Sequence, residues 1–127
     1  NGSQSYVFYA FHSVDGYSKV GSYTGTGSTD GTFVYTGFRP AYVMIKRTNS
    51  SSNGNWSLFD AERNPYNSSG IHLRADTSDA ELAFGSGIDI VSNGFKMREA
   101  ANALNNSGSS YIYIAFAETP FKYSNAR

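Results

Sequence analysis

The sequence predicts an all-β domain: an antiparallel β-sandwich, jelly-roll-like, with about eight short strands and little helix. Three observations carry that expectation. Aromatic residues make up 16% of the chain, with ten Tyr and nine Phe, and such side chains favour the pleated surface of strands. Thirteen glycines, among many Ser, Asn and Thr, supply turns. Turn signals recur about every ten residues, and no segment has the ten or more periodic residues of a crossover helix, which excludes a parallel α/β fold.

Taken in order, Tyr6 to Phe11 is an apolar run with the look of a strand buried on both faces. Gly16 to Gly25 alternates bulky with small or polar residues and reads as a second strand; Asp30-Gly31 marks a hairpin before the short strand Thr32–Thr36. Pro40 cannot donate to a ladder and holds Arg39 extended, so Gly37–Pro40 is a tight connection into the central strand Ala41–Arg47. Thr48 to Asn55 is Ser-, Asn- and Gly-rich and reads as an exposed hairpin tip, with Trp56–Asp60 returning as partner strand. Ala61 to Gly70 is a polar excursion. Ile71 to Ala75 alternates, which places Ile71, Leu73 and Ala75 inward and His72 and Arg74 outward. Ser78 to Glu81 has capping-box spacing for one helical turn. Ile88–Val91 and Gly94–Arg98 flank a Ser-Asn-Gly turn, Ala100 to Ser109 is a polar loop with room for a turn of helix, and Tyr111–Ala117 closes the domain.

Within this pattern one segment occurs twice. Ser5-Tyr6-Val7-Phe8-Tyr9-Ala10-Phe11 is echoed by Ser110-Tyr111-Ile112-Tyr113-Ile114-Ala115-Phe116. Such a spacing is one small domain, so residues 1–12 read as a strand left over from a preceding repeat unit and residues 13–127 as a single sandwich unit. A unit needs one closing strand, and Tyr111–Ala117 takes that place. Tyr6, Val7, Phe8, Tyr9 and Phe11 are then expected to be paired and buried, against a sheet edge of their own domain or against a neighbouring chain, and they form the candidate assembly contact.

Composition bounds the chemistry. Net charge is zero, which excludes the basic footprint of a nucleic-acid binder. No stretch approaches the roughly 20 apolar residues of a helical membrane span. Cysteine is absent, and with it disulfides, zinc–thiolate sites and thiol nucleophiles.

Catalytic and metal constellations are thin. His12 and His72 lack a second His at ligand spacing and read as ordinary surface histidines. No carboxylate pair has spacing that argues for glycosidase work. Asp76, Asp79 and Glu81 can gather on a loop around calcium, but their spacing is unlike an EF-hand and a solvated acidic loop is the simpler reading. No enzymatic activity and no cofactor are expected. The stretch around Trp56 offers more: with Asp60, Arg63, Asn64, Tyr66 and Asn67 it combines stacking rings with amides and charges, the mixture that recognises sugar hydroxyls. The competing reading has Trp56 filling the core and Asp60 paired with Arg63 to brace the loop.

Several of these strings resemble a repeat of marine bacteriophage virion proteins of the tail-fibre and tail-associated kind: Gly16–Gly25, Phe33–Arg47, Asp60–Asn67, Asp89–Lys96 and Ser110–Phe121. The resemblance covers nearly the whole chain. It implies an extracellular virion location and a structural or adhesin module of a fibre, with other copies of the chain or adjacent fibre units as partners and a host-surface glycan as a further one. It implies no catalytic or metal-binding residue, no nucleic acid and no membrane insertion. A capsid-decorating or purely architectural virion protein is the alternative, and a polysaccharide-degrading tailspike a more remote one.

Overall fold

The computed structural model describes residue 3, residues 5–50 and residues 54–121. Eight strands form: β1 (Ser18–Thr24), β2 (Phe33–Tyr35), β3 (Pro40–Arg47), β4 (Ser57–Asp60), β5 (Ser69–Arg74), β6 (Leu82–Val91), β7 (Gly94–Met97) and β8 (Ser110–Ala117). They make one antiparallel sheet in the order β1-β8-β3-β4-β5-β6-β7-β2, and no helix occurs among the described residues. The all-β antiparallel expectation holds.

The sheet curls until its ends nearly meet. At the seam Thr32 Oγ1 donates to the Thr24 carbonyl at 2.7 Å, and the Met97 amide donates to the Thr32 carbonyl at 3.0 Å. The curl sets β1-β8-β3-β4 opposite β5-β6-β7-β2 and buries one face between them. Tyr23, Val43, Ile45, Phe59, Tyr111, Tyr113 and Ala115 project inward from the first half. Val34, Ile88, Ile90, Phe95 and Met97 meet them from the second. Phe95 sits edge-on to Tyr113 at 5.3 Å and to Tyr23 at 6.5 Å, the geometry that ring quadrupoles prefer. Two glycines make the curl possible. A Cβ on Gly94 would run into the Val34 carbonyl, and Gly87 takes φ +55° where a side chain would meet the Ser69 carbonyl. The β5–β6 register shifts at that point, between Ser69 and Ile71.

One end is closed by two interlocked loops. Asn105 is fully buried; its amide oxygen accepts from the Thr26 amide at 2.9 Å and its amide nitrogen donates to the Ser28 carbonyl at 2.7 Å. The turn expected near Ala101 forms, with the Asn105 amide donating to the Ala101 carbonyl at 2.9 Å. Residues 100–109, expected as a polar loop, act as a lid that buries Leu104, Asn105 and Ser109. The helical turn at Ser78–Glu81 does not form: Asp79 is engaged instead by Arg74 at 3.1 Å and by the Thr77 hydroxyl at 2.9 Å.

Strand β5 inverts the expected facing. His72 is 2% exposed and points inward, stacked on Phe84 at 4.1 Å, while Ile71 and Leu73 take the outer face. The register explains this. Leu58 pairs with Leu73, so Phe59 and His72 share the inner face across β4 and β5. Alternation by residue type misleads here, because His72 is polar by type yet packs as an aromatic ring against Phe59 and Phe84.

Candidate functional site: the apolar outer face

An antiparallel sheet with one solvated face shows polar residues there. Here the outer face carries an unbroken apolar row across five strands. Val20 pairs with Ile114, Ile114 with Met44, Met44 with Leu58, and Leu58 with Leu73. Beside it Phe116 and Tyr42 pair across β8 and β3, their rings 5.9 Å apart, and Ile112 lies on the other flank. A face of this kind calls for a third layer.

The N-terminal segment supplies part of one. It lies over the face, where Val7, Phe8, Tyr9 and Phe11 line a groove with sheet residues, and is anchored at its end nearest β1. The Phe11 ring meets Phe116 edge-on at 6.2 Å, and the Ser13 hydroxyl bridges the free edge of β1, accepting from the Val20 amide at 3.1 Å and donating to the Val20 carbonyl at 3.4 Å. Between segment and sheet lies an apolar groove of about 520 Å³, with Val7, Phe8 and Phe11 on one wall and Met44, Trp56 and Ile114 among those on the other.

The segment is not the strand expected of it. Residues 5–13 form no strand, and Tyr6 is 86% exposed, Val7 81%, Phe8 87%, Tyr9 77% and Phe11 58%. The expectation of a paired, buried segment therefore fails within the single chain. The reason is competition. β8 carries the similar segment and already fills the slot between β1 and β3, and the outer edge of β1 is occupied by Ser13 and by the Val14–Ser18 bridge.

The residues proposed for sugar binding do not converge. Trp56 is half-buried on the outer face beside the groove, neither in the core nor at an exposed tip. Asp60 caps its own turn, accepting from the Glu62 amide at 2.9 Å, and Arg63 pairs with Glu81 rather than with Asp60. The Asn64 amide closes the same turn on the Asp60 carbonyl at 3.2 Å, and Tyr66 is 80% exposed. Asn67 is committed to the backbone. Its amide donates to the Ile90 carbonyl and accepts from the Ile90 amide, each at 2.9 Å, as a strand neighbour would.

Asn67 also borders an open polar cleft of about 720 Å³ on the outer face of the other half, with Asp30, Asp89 and Arg98. Its charges neutralise one another: Asp30 pairs with Lys96 at 2.5 Å and Arg98 at 3.3 Å, and Arg98 reaches Asp89 at 3.3 Å. The hydrogen bond and charge of Lys96 hold the Asp30 carboxyl below its usual range. The acidic loop is dispersed in the same way. Asp76 accepts from the Trp56 amide, Asp79 pairs with Arg74, and Glu81 with Arg63. Among the described residues no three His, Asp or Glu side chains gather as a metal site would require.

The inner face holds the perturbed groups. Burial pushes the Tyr23 hydroxyl far up, with Tyr111 adding to the effect, and raises Tyr42 and Tyr113. His72 is pushed down by burial; the backbone of Gly70 and Leu82 opposes the shift, but no partner meets either ring nitrogen in hydrogen-bonding geometry. The imidazole is a neutral ring in an aromatic stack.

Sequence reasoning missed the outer face itself. The signal was present in Ile112, Ile114, Met44 and Leu58, apolar residues that alternate with equally apolar ones on the core side. Neither the curated proteins nor the solved structures searched include a match. One family does match, over residues 1–120, a span that runs through both copies of the repeated segment. The chain belongs to that family, a domain of unknown function (DUF7483).

Proposed function

We propose that this domain is a non-enzymatic structural module of a virion fibre, of the tail-fibre kind its sequence resembles, and that it meets neighbouring units through the outer face of β1-β8-β3-β4 and the N-terminal segment. The observation that carries this reading is the apolar row from Val20 to Leu73, overlain by a segment that leaves Tyr6, Val7, Phe8 and Tyr9 between 77% and 87% exposed. Monomeric proteins rarely expose apolar patches beyond a few hundred Å², so a surface of this kind favours a partner. A wholly architectural role is favoured over glycan binding, because Asp60, Arg63 and Asn67 already have partners within the chain. Removal of residues 1–12 tests the reading: it changes the oligomer or lowers solubility. An unaltered, stable monomer before and after removal contradicts it, and release of reducing ends from polysaccharide would contradict the non-enzymatic role.

A further inference from the structure

We infer that the partner on this surface is a second copy of the chain, and that the two copies join by pairing their Tyr6–Phe11 segments antiparallel about a two-fold axis, with the ribbon so formed lying across both outer faces as a shared layer. The inference rests on the assembly reading above and specifies its contact.

Four observations lead to it. The first is area. Four aromatic rings and Val7, exposed by 58% to 87%, present on the order of 600 Å² of side chain. Stable interfaces bury about 800 Å² per partner. With Ile112, 42% exposed on the sheet below, the face is of the size one partner contributes to a dimer.

The second is the backbone. Among the described residues no amide or carbonyl of Tyr6–Phe11 takes part in a hydrogen bond. An apolar segment with a free backbone is a template for another strand, and the strand it matches best has its own composition.

The third is the internal repeat. The same residue pattern, as β8, lies between two antiparallel neighbours, β1 and β3. Tyr111, Tyr113 and Ala115 of β8 pack one way and Ile112, Ile114 and Phe116 the other. The first copy carries equivalent residues in the same alternation, so it suits an antiparallel partner and has apolar side chains for both faces. The two-fold axis of an antiparallel pair stands perpendicular to the ribbon and turns the same ribbon face toward both sheets, which makes the contact isologous and closed.

The fourth is charge. From Asn1 to Val14 no Asp, Glu, Lys or Arg occurs. Like copies can approach without repulsion, and neither an anionic membrane nor nucleic acid has a cation there to recognise.

Because the chain has no cysteine, single replacements report position cleanly. The full chain would be examined by sedimentation velocity, alone and as Phe8→Lys, and as Phe8→Cys, Tyr9→Cys and Tyr35→Cys treated with a short bismaleimide. Tyr35, 63% exposed on β2, controls for random collision. The expected results are twice the monomer mass for the full chain, monomer for Phe8→Lys with an unchanged circular dichroism spectrum, and cross-linked dimer for the two segment cysteines but not for Tyr35→Cys. An oligomer abolished by Phe8→Lys without cross-links at positions 8 and 9 overturns the two-fold pairing and leaves the assembly reading standing. A full chain that is monomeric at tens of micromolar overturns both; if that monomer binds neutral phosphatidylcholine vesicles, the face is a lipid surface instead.

Discussion

Phe11 and Phe116 occupy equivalent positions in the two copies of the repeated segment, and their rings meet edge-on at 6.2 Å. The chain thus packs the first copy against the second. Tyr17 and Tyr42 complete the cluster, each with its ring 5.9 Å from Phe116, and Tyr17 in turn stacks on Phe121 at 5.2 Å. This contact, with Ser13 on the edge of β1, fixes where the segment leaves the sheet. Phe11→Ala is expected to free residues 5–11, seen as faster proteolysis there, at a global cost of no more than about 1.5 kcal/mol because the ring is already half exposed. A larger loss in urea titrations would show the segment to be part of the cooperative core.

Two stacked tyrosines hold the lid. Tyr23 and Tyr111 lie 4.9 Å apart and nearly parallel. The Tyr23 hydroxyl donates to the Leu104 carbonyl at 2.6 Å; that of Tyr111 donates to the Asn102 carbonyl and accepts from the Asn106 amide, both at 2.8 Å. Tyr111→Phe strands two backbone groups and is expected to cost about 2 kcal/mol, against about 1 kcal/mol for Tyr23→Phe. Equal losses in urea denaturation would contradict this assignment.

Asn105 ties both loops together, so Asn105→Ala leaves the Thr26 amide and Ser28 carbonyl without their partner. A loss of about 2–3 kcal/mol is expected, with amide exchange accelerated in residues 25–31 and 101–109 before the strands. Uniform acceleration across the sheet would show instead that the lid and core open as one unit.

His72 predicts an acid limb in stability. Its folded pKa lies below the ordinary 6.5, so the unfolded chain takes up the proton first as pH falls. Its contribution is complete above about pH 6.5, declines below it with a slope of at most about 1.4 kcal/mol per pH unit, and levels off once pH passes the folded value. His72→Phe keeps the stack on Phe84 and Phe59 and is expected to flatten that limb. A limb of unchanged slope would place its origin in the carboxylates.

Much of this was legible in sequence, for reasons the structure makes plain. Ala41–Arg47 and Tyr111–Ala117 read as strands because their apolar side chains face layers on both sides, and they pair at the centre of the first half. The facing of β5 was misread because His72 and Arg74 mark a polar side by residue type, whereas the His72 imidazole is buried. Strand β6 begins at Leu82, ahead of the expected Ile88, and its glycines allow the bend past Ser69 and Gly70. The lid was missed because Asn105 is polar by type, yet buried through hydrogen bonds that close only when residues 25–31 come alongside. The glycan set is clustered in sequence, but Trp56 lies beside the apolar groove while Asn67 borders the polar cleft.

The account stands most directly on one measurement: the molar mass of the full chain in solution, by sedimentation velocity across a concentration series. An associated species reduced to monomer by Phe8→Lys, with the fold retained, is the predicted result. A monomer at every concentration, with Tyr6 to Phe11 simply solvated, would contradict it.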